Sequence, residues 1–242
     1  MRPMIRLHVT APLAEGHAVA PTLDQSRYLT QVMRLKQSDD LLLFNGTDGE
    51  WRAEVVEVLK KGAILRCIEK VRDQANGPDL ELILAGIKKA RVETVAEKAT
   101  ELGARTIQLT ITQRTNAERI RLDRLDAIVE EAAEQCGRLD VPTVHESKKL
   151  ADILKNWPQD RKLLFCDETG GAPAFEALQK AGGGAWSILI GPEGGFSAEE
   201  REQLRAMPCT TAVSLGNRIL RADTASIAAM TIWQAAVGDW ER

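Results

Sequence analysis

Ile188-Leu189-Ile190-Gly191-Pro192-Glu193-Gly194-Gly195-Phe196-Ser197-Ala198-Glu199-Glu200 is the stretch on which the reading of this chain turns. An apolar run suited to a buried strand ends at Ile190, and Ser197 with Glu200 three residues later spells a capping box that opens a helix. Three glycines and a proline lie between them. Glycine supplies positive φ and lets a ligand approach the backbone, while Pro192 stiffens the turn. A tight connection needs only one glycine, so the loop is either a plain connector or a surface shaped for a ligand.

Phosphate is a poor candidate for that ligand. A Walker-type loop needs Lys followed by Ser or Thr, which is absent here, and no G-x-G-x-x-G fingerprint opens this half of the chain. Glu193 would repel an anion. A carboxylate in the loop suits a neutral or cationic ligand, a description that S-adenosylmethionine fits through its sulfonium and ammonium groups.

A second loop of the same kind follows, Val213-Ser214-Leu215-Gly216-Asn217-Arg218-Ile219-Leu220-Arg221-Ala222-Asp223-Thr224-Ala225. A strand again runs into glycine, and a helix from Ala225 to about Val237 follows, capped by Asp223 or Thr224. Two readings stay open for its middle. Either Ile219 and Leu220 are core between solvated arginines, or they sandwich a flat ring while an arginine faces an anion.

Outward from these loops, strands alternate with helices: Leu80–Ala85, a helix through Val92, Val95, Ala96, Ala99 and Leu102, Thr106–Leu109, a helix over Leu122–Cys136, then strands Lys162–Cys166, Ser187–Ile190 and Thr211–Leu215. That alternation predicts a mostly parallel α/β sheet, whose ligands sit where loops leave the carboxyl ends of strands. Residues 1–72 differ. Leu41–Phe44, Trp51–Val58 and Ala63–Ile68 read as strands, the last two forming a hairpin about Lys60-Lys61-Gly62, with one helix from about Gln25 to Leu35 that carries Leu29, Val32 and Met33 on one face. This is a small barrel-like β domain. The polar stretch Asp73–Asp79, with its Gly77-Pro78, is the linker to a second domain, 73–242.

Composition narrows the function. An apolar fraction of 44% supports a sizeable core, and a formal charge of −3 argues against a basic coat over the whole surface. No run of apolar residues is long enough to span a membrane, and Met1-Arg2-Pro3-Met4-Ile5-Arg6 lacks the apolar core of a signal peptide. Four scattered cysteines without a C-x-x-C pair point to a reduced, cytoplasmic protein. His8, His17 and His145 show no ligand spacing, so no metal is expected.

Taken together and in order, Ile190–Ser197 and Leu215–Ala225 resemble the ribosomal RNA small subunit methyltransferase E family. Lys98–Gly103, Arg114-Thr115, Glu131–Arg138 and Val32–Lys36 add to the likeness, which spans the whole chain. The resemblance implies a SPOUT-type α/β domain with a C-terminal trefoil knot, preceded by a PUA-like RNA-binding barrel. It also implies a homodimer that binds S-adenosylmethionine in the knot loops and methylates N3 of a uridine in 16S ribosomal RNA of the small subunit. The sequence departs from the family pattern twice, with Gln31 where His is common and Asp223 where Glu is common.

On this basis the donor pocket comprises Leu189, Ile190, Gly191, Pro192, Glu193, Gly194, Gly195, Leu215, Gly216, Asn217, Arg218, Ile219, Leu220 and Arg221. Uridine N3 is protonated at neutral pH, so transfer needs alignment of the reactants and help for the uridine anion. Arg114, Arg138 and Arg221 are the candidates for stabilising that anion, and Glu193 and Asp223 are candidate bases by location. Residues 1–72 carry 11 Lys+Arg against 9 Asp+Glu, whereas 73–242 carry 21 against 26, and Arg27, Arg34, Lys36, Lys60 and Lys61 are the expected RNA contacts. The helix 225–237 is apolar all round, which fits a dimer interface. Two alternatives stand beside this one: a methyltransferase of the same fold acting on a ribose 2′-hydroxyl, and a non-catalytic RNA-binding ribosome-assembly factor.

Overall fold

The structure is a computed structural model that describes residues 4–116 and 120–240. The first three residues of the start segment read above lie outside the described residues. Two compact units emerge: Met1–Asn76 with Ala133–Val141, and Gly77–Ala132 with Pro142–Arg242. The first unit thus differs from the expected 1–72 in extent. It also takes in the end of a helix far along the chain, a tertiary association that no linker composition announces.

In the first unit, strands β1 (Arg6–His8), β2 (Ala18–Val19), β3 (Asp40–Phe44), β4 (Glu50–Leu59) and β5 (Gly62–Arg72) form one sheet in the order β1-β3-β4-β5-β2. β1 and β3 are parallel, and the other pairs are antiparallel. Alternation along β3, β4 and β5 drives Leu41, Leu43, Ala53, Val55, Leu65 and Cys67 into a core with Leu7 and Leu29. The expected single helix is instead a short helix α1 (Leu23–Arg27), capped by a Thr22–Gln25 box, that widens into a π-helical turn over Tyr28–Val32. The Met33 N–H reaches back to the Tyr28 carbonyl at 2.9 Å, and this wider winding shifts the helical phase. Leu29 is buried as expected, but Val32 and Met33 are exposed.

Arg6 anchors the unit's second segment. Its guanidinium pairs with Glu50 at 2.6 Å, lies 4.5 Å from the centroid of the Phe44 ring, and donates to the carbonyls of Ala133, Glu134 and Arg138 at 2.7–2.8 Å. Arg72 pairs with the other Glu50 oxygen at 2.8 Å and donates to the Gly137 carbonyl. Two arginines therefore satisfy carbonyls in the last turn of a helix and in the segment just after it, where the macrodipole also favours positive charge.

The second unit holds β6 (Leu80–Ala85), α2 (Lys89–Glu101), β7 (Thr106–Ile111), the start of α3 (Leu122–Cys136), β8 (Thr143–Lys149), α4 (Leu150–Lys155), β9 (Lys162–Cys166), β10 (Ala172–Pro173), α5 (Ala174–Ala181), β11 (Trp186–Ile190), α6 (Ala198–Ala206), β12 (Thr210–Ser214) and α7 (Ala222–Val237). The seven strands pair in parallel in the order β10-β12-β9-β11-β6-β7-β8. Central strands buried on both faces read as unbroken apolar runs, and every residue of β11 is buried. Ile83, Leu163, Phe165 and Leu189 pack on one face with Leu150 and Leu154 of α4 and Leu204 of α6. β8 had no signature in the sequence because it is an edge strand with six of its seven residues exposed.

Arg6→Ala removes the charge partner of a buried Glu50 oxygen and strands three carbonyls. It is expected to cost about 2–4 kcal/mol, read as a lower urea midpoint at pH 7.

Candidate functional site

Because all strands of the second unit are parallel, their carboxyl ends share one edge. The chain moves outward from β6 to β7 and β8, crosses to β9, and then lays β11 between β9 and β6. The direction of winding reverses at that point, and ligands of α/β sheets bind in the crevice it leaves. The first glycine loop leaves β11 here, and the segment after β6 enters α2 beside it.

The path of the first loop is held by Phe196. Its ring is fully buried, edge-on to Phe165 at 5.2 Å between centroids, and a Cβ at Gly191 would stand 2.6 Å from the Phe196 ring. Only glycine permits that closeness. The Gly195 N–H donates to the Pro192 carbonyl at 2.9 Å, closing a turn with Gly195 at φ +66°. Leu189, Ile190 and Pro192 are buried, while Glu193 and Gly194 face solvent. The expected capping box is present: Ser197 Oγ accepts from the Glu200 N–H at 3.1 Å, and Glu200 Oε2 accepts from the Ser197 N–H at 2.9 Å. The other oxygen of buried Glu200 accepts the Gln113 N–H at 2.8 Å. One carboxylate thus ties the loop after β7 to the loop after β11. Arg114 follows, its guanidinium 3.2 Å from the Gly194 carbonyl, so it stands beside the glycine loop.

The second loop is open. Gly216 takes φ +115°, and Asn217, Arg218 and Arg221 are exposed. Ile219 is 91% exposed, which removes the option that it is core, whereas Leu220 is half-buried. α7 begins earlier than expected, at Ala222, with Arg221 at the N-cap and no side-chain cap. Asp223 therefore sits in the first turn, where its carboxylate accepts the Thr224 N–H at 3.0 Å. An acidic residue there complements the helix dipole.

Arg91, in the first turn of α2, connects the two loops and was not singled out in the sequence. Its Nη1 lies 3.7 Å from Glu193 and 3.6 Å from Asp223. The same nitrogen is buried and makes no hydrogen bond within the protein. No local spacing relates Arg91 to residues so far downstream, so only the fold brings them together. Glu193, Arg114, Asp223 and Arg221 accordingly gather at the carboxyl edge. Arg138 belongs to the first unit, where its half-buried guanidinium pairs with Asp140 at 2.9 Å. Arg27, Arg34, Lys36, Lys60 and Lys61 are all exposed on the first unit. Arg27 contacts Asp24 at 3.3 Å, Arg34 adopts φ +60°, and Lys60 and Lys61 form the tip of the β4–β5 hairpin.

A further loop after β9 supports the same edge. Burial works against the charge of Asp167, but the Thr169 N–H and hydroxyl and the Arg205 guanidinium at 2.6 Å more than offset it, so the carboxyl titrates below its ordinary range. A depressed folded-state pKa stabilises the fold above the unfolded value and loses that contribution as pH falls through the folded one. Asp167→Asn is therefore expected to cost about 1–3 kcal/mol above roughly pH 5, and the deficit against the wild type should close on acidification below about pH 4 in paired urea titrations.

Known proteins share this fold. The RNA methyltransferase domain family matches residues 75–234, and the RNA methyltransferase PUA domain family matches 21–67. A ribosomal RNA small subunit methyltransferase E of Rickettsia conorii is 32% identical over 93% of both chains, and one from Synechocystis is 33% identical over 88% of this chain and 71% of its own. Among solved structures, a methyltransferase of Legionella pneumophila in complex with the cofactor SAM matches with a TM-score of 0.86 at 28% identity, covering 98% of this chain and 99% of its own. The ribosomal RNA small subunit methyltransferase E of Neisseria gonorrhoeae bound to S-adenosyl methionine matches with a TM-score of 0.86 at 27% identity and the same coverage. The chain is an RNA methyltransferase in which a parallel α/β domain follows a PUA-like domain. Within that class it belongs to the ribosomal RNA small subunit methyltransferase E family.

Proposed function

We propose that this protein transfers the methyl group of S-adenosylmethionine to N3 of a uridine in 16S ribosomal RNA of the small subunit. The observation that carries the proposal is the convergence of Glu193 and Asp223, one from each glycine-bearing segment, on Arg91 at the switch point of the sheet. Two carboxylates beside exposed glycine backbone and the exposed Ile219 suit a cationic ligand with a flat ring better than a phosphate. Residues 189–195 and 215–221 would hold the donor, which supplies an activated methyl group on a sulfonium. Two relatives with this cofactor bound support the assignment.

The chain's own residues contribute alignment and charge. Arg114 and Arg221 stand at the same edge as the glycine loops and would stabilise a uridine anion. Arg138, paired with Asp140 in the first unit, would be a third such group. Glu193 or Asp223 would take the N3 proton. The exposed Arg27, Arg34, Lys36, Lys60 and Lys61 of the PUA-like unit would neutralise RNA phosphates. The second unit would be knotted at its C-terminal loops. The protein would act in the cytoplasm as a homodimer through the face of α7 that carries the exposed Ile227 and the half-buried Ala228, Thr231 and Ile232. No helix among the described residues is long and apolar enough to cross a membrane.

Incubation with labelled S-adenosylmethionine and small subunits from methylation-deficient cells, followed by nucleoside mass spectrometry, is expected to yield 3-methyluridine. A 2′-O-methylated nucleoside would instead select the ribose-directed alternative, and absence of any methylated product would select the assembly factor. Gly194→Val and Leu220→Asp should weaken donor binding at least tenfold in calorimetry while leaving the protein folded.

A further inference from the structure

We propose that Arg91 sets the charge of the donor pocket and thereby its preference for the cationic methyl donor over the neutral product. This rests on the donor assignment above and extends it to a residue outside both loops. Well-formed guanidinium–carboxylate pairs in this protein are short, as in Arg205–Asp167 at 2.6 Å and Arg124–Glu93 at 2.8 Å. Arg91 Nη1 is buried, without a hydrogen-bond acceptor in the protein, and nearly equidistant from Glu193 Oε1 at 3.7 Å and Asp223 Oδ1 at 3.6 Å. These separations exceed those of charge-assisted hydrogen bonds, so the guanidinium acts on both carboxylates through its field.

The position is fixed by the packing of two helices. α2 follows β6 and α7 follows β12, so both start at the carboxyl edge. The helices contact one another, and at their far ends Gln234 Nε2 donates to the Leu102 carbonyl at 2.8 Å. Arg91 and Asp223 face each other at the near ends. Arg91 has 23% of its side chain exposed, against 28% for Asp223 and 48% for Glu193, so the cation is the least hydrated of the three.

Within the cluster of Arg91, Glu193 and Asp223, two carboxylates around one guanidinium leave a single excess negative charge, while Arg114, Arg218 and Arg221 at the same edge are exposed and screened by solvent. The donor carries a sulfonium, an ammonium and a carboxylate, and so one net positive charge. On transfer the bond between sulfur and methyl carbon breaks, its electron pair stays on sulfur, and the resulting thioether is neutral overall. A cluster of this charge favours the donor over the product, and deleting the Arg91 charge strengthens that bias while deleting either carboxylate weakens it.

The test is calorimetric titration of the full chain with S-adenosylmethionine and with S-adenosylhomocysteine, read as the ratio of the two dissociation constants. Arg91→Met is expected to raise the preference for the sulfonium by about 3–10-fold, and Glu193→Gln and Asp223→Asn to lower it by a similar factor. Arg91→Lys, which keeps the charge, should stay within about twofold of the wild type. The two carboxylate variants keep the test decisive if Arg91→Met does not fold. A ratio that stays constant across the charge variants, even while both affinities fall, overturns this inference and leaves the donor assignment standing. A wild-type protein that binds neither compound overturns both.

Discussion

Strand β11 hydrogen-bonds along its length to β6 on one side and β9 on the other, and that placement is the constraint from which the site follows. It is laid between β9, which precedes it closely, and β6, which opens the second unit much earlier in the chain. Every one of its residues is buried, so the strand cannot slide without exposing apolar surface on both faces. Its carboxyl end consequently delivers Gly191–Gly195 to a fixed point between two neighbouring connections. The buried Phe196 then locks the loop's exit against Phe165 of β9.

Three acidic groups near this edge have three different tasks, set by their surroundings. Glu200 is buried and saturated by backbone N–H donors, so it acts as a tie between loops. Asp167 is buried and paired closely with Arg205, so it stabilises the connection after β9. Glu193 is half-exposed and only loosely faced by Arg91, which leaves its charge available to a ligand. Burial and partner distance, more than residue type, separate the structural carboxylates from the candidate functional ones.

The first unit solves a different problem. A five-stranded sheet buries one cluster about Leu29, Leu41, Leu43 and Leu65, and Glu50 is shared by Arg6 and Arg72 at its edge. Those arginines go on to satisfy the carbonyls of residues 133–138, so a segment distant in sequence becomes part of the same compact body. Its exposed basic residues lie on short, strongly bent segments, the π-helical turn region and a hairpin tip, where side chains project without packing obligations.

Local patterning was sufficient wherever a neighbour in sequence carries the signal. The apolar run of β11, the Ser197–Glu200 capping box and the helix Leu122–Cys136 ended by Gly137 are legible because strand burial, capping and helical periodicity act over a few residues. The two glycine-bearing loops were legible for the same reason. The phase of the helix after Thr22 was not, because a π-helical turn changes which residues face inward without changing composition. β8 left no trace because an exposed edge strand needs no apolar residues. The exposure of Ile219 and the position of Arg91 between Glu193 and Asp223 were decided by tertiary structure alone. Each depends on side chains separated by the winding of the chain or on how a loop is left uncovered, and charge acts through space with no regard to order along the backbone.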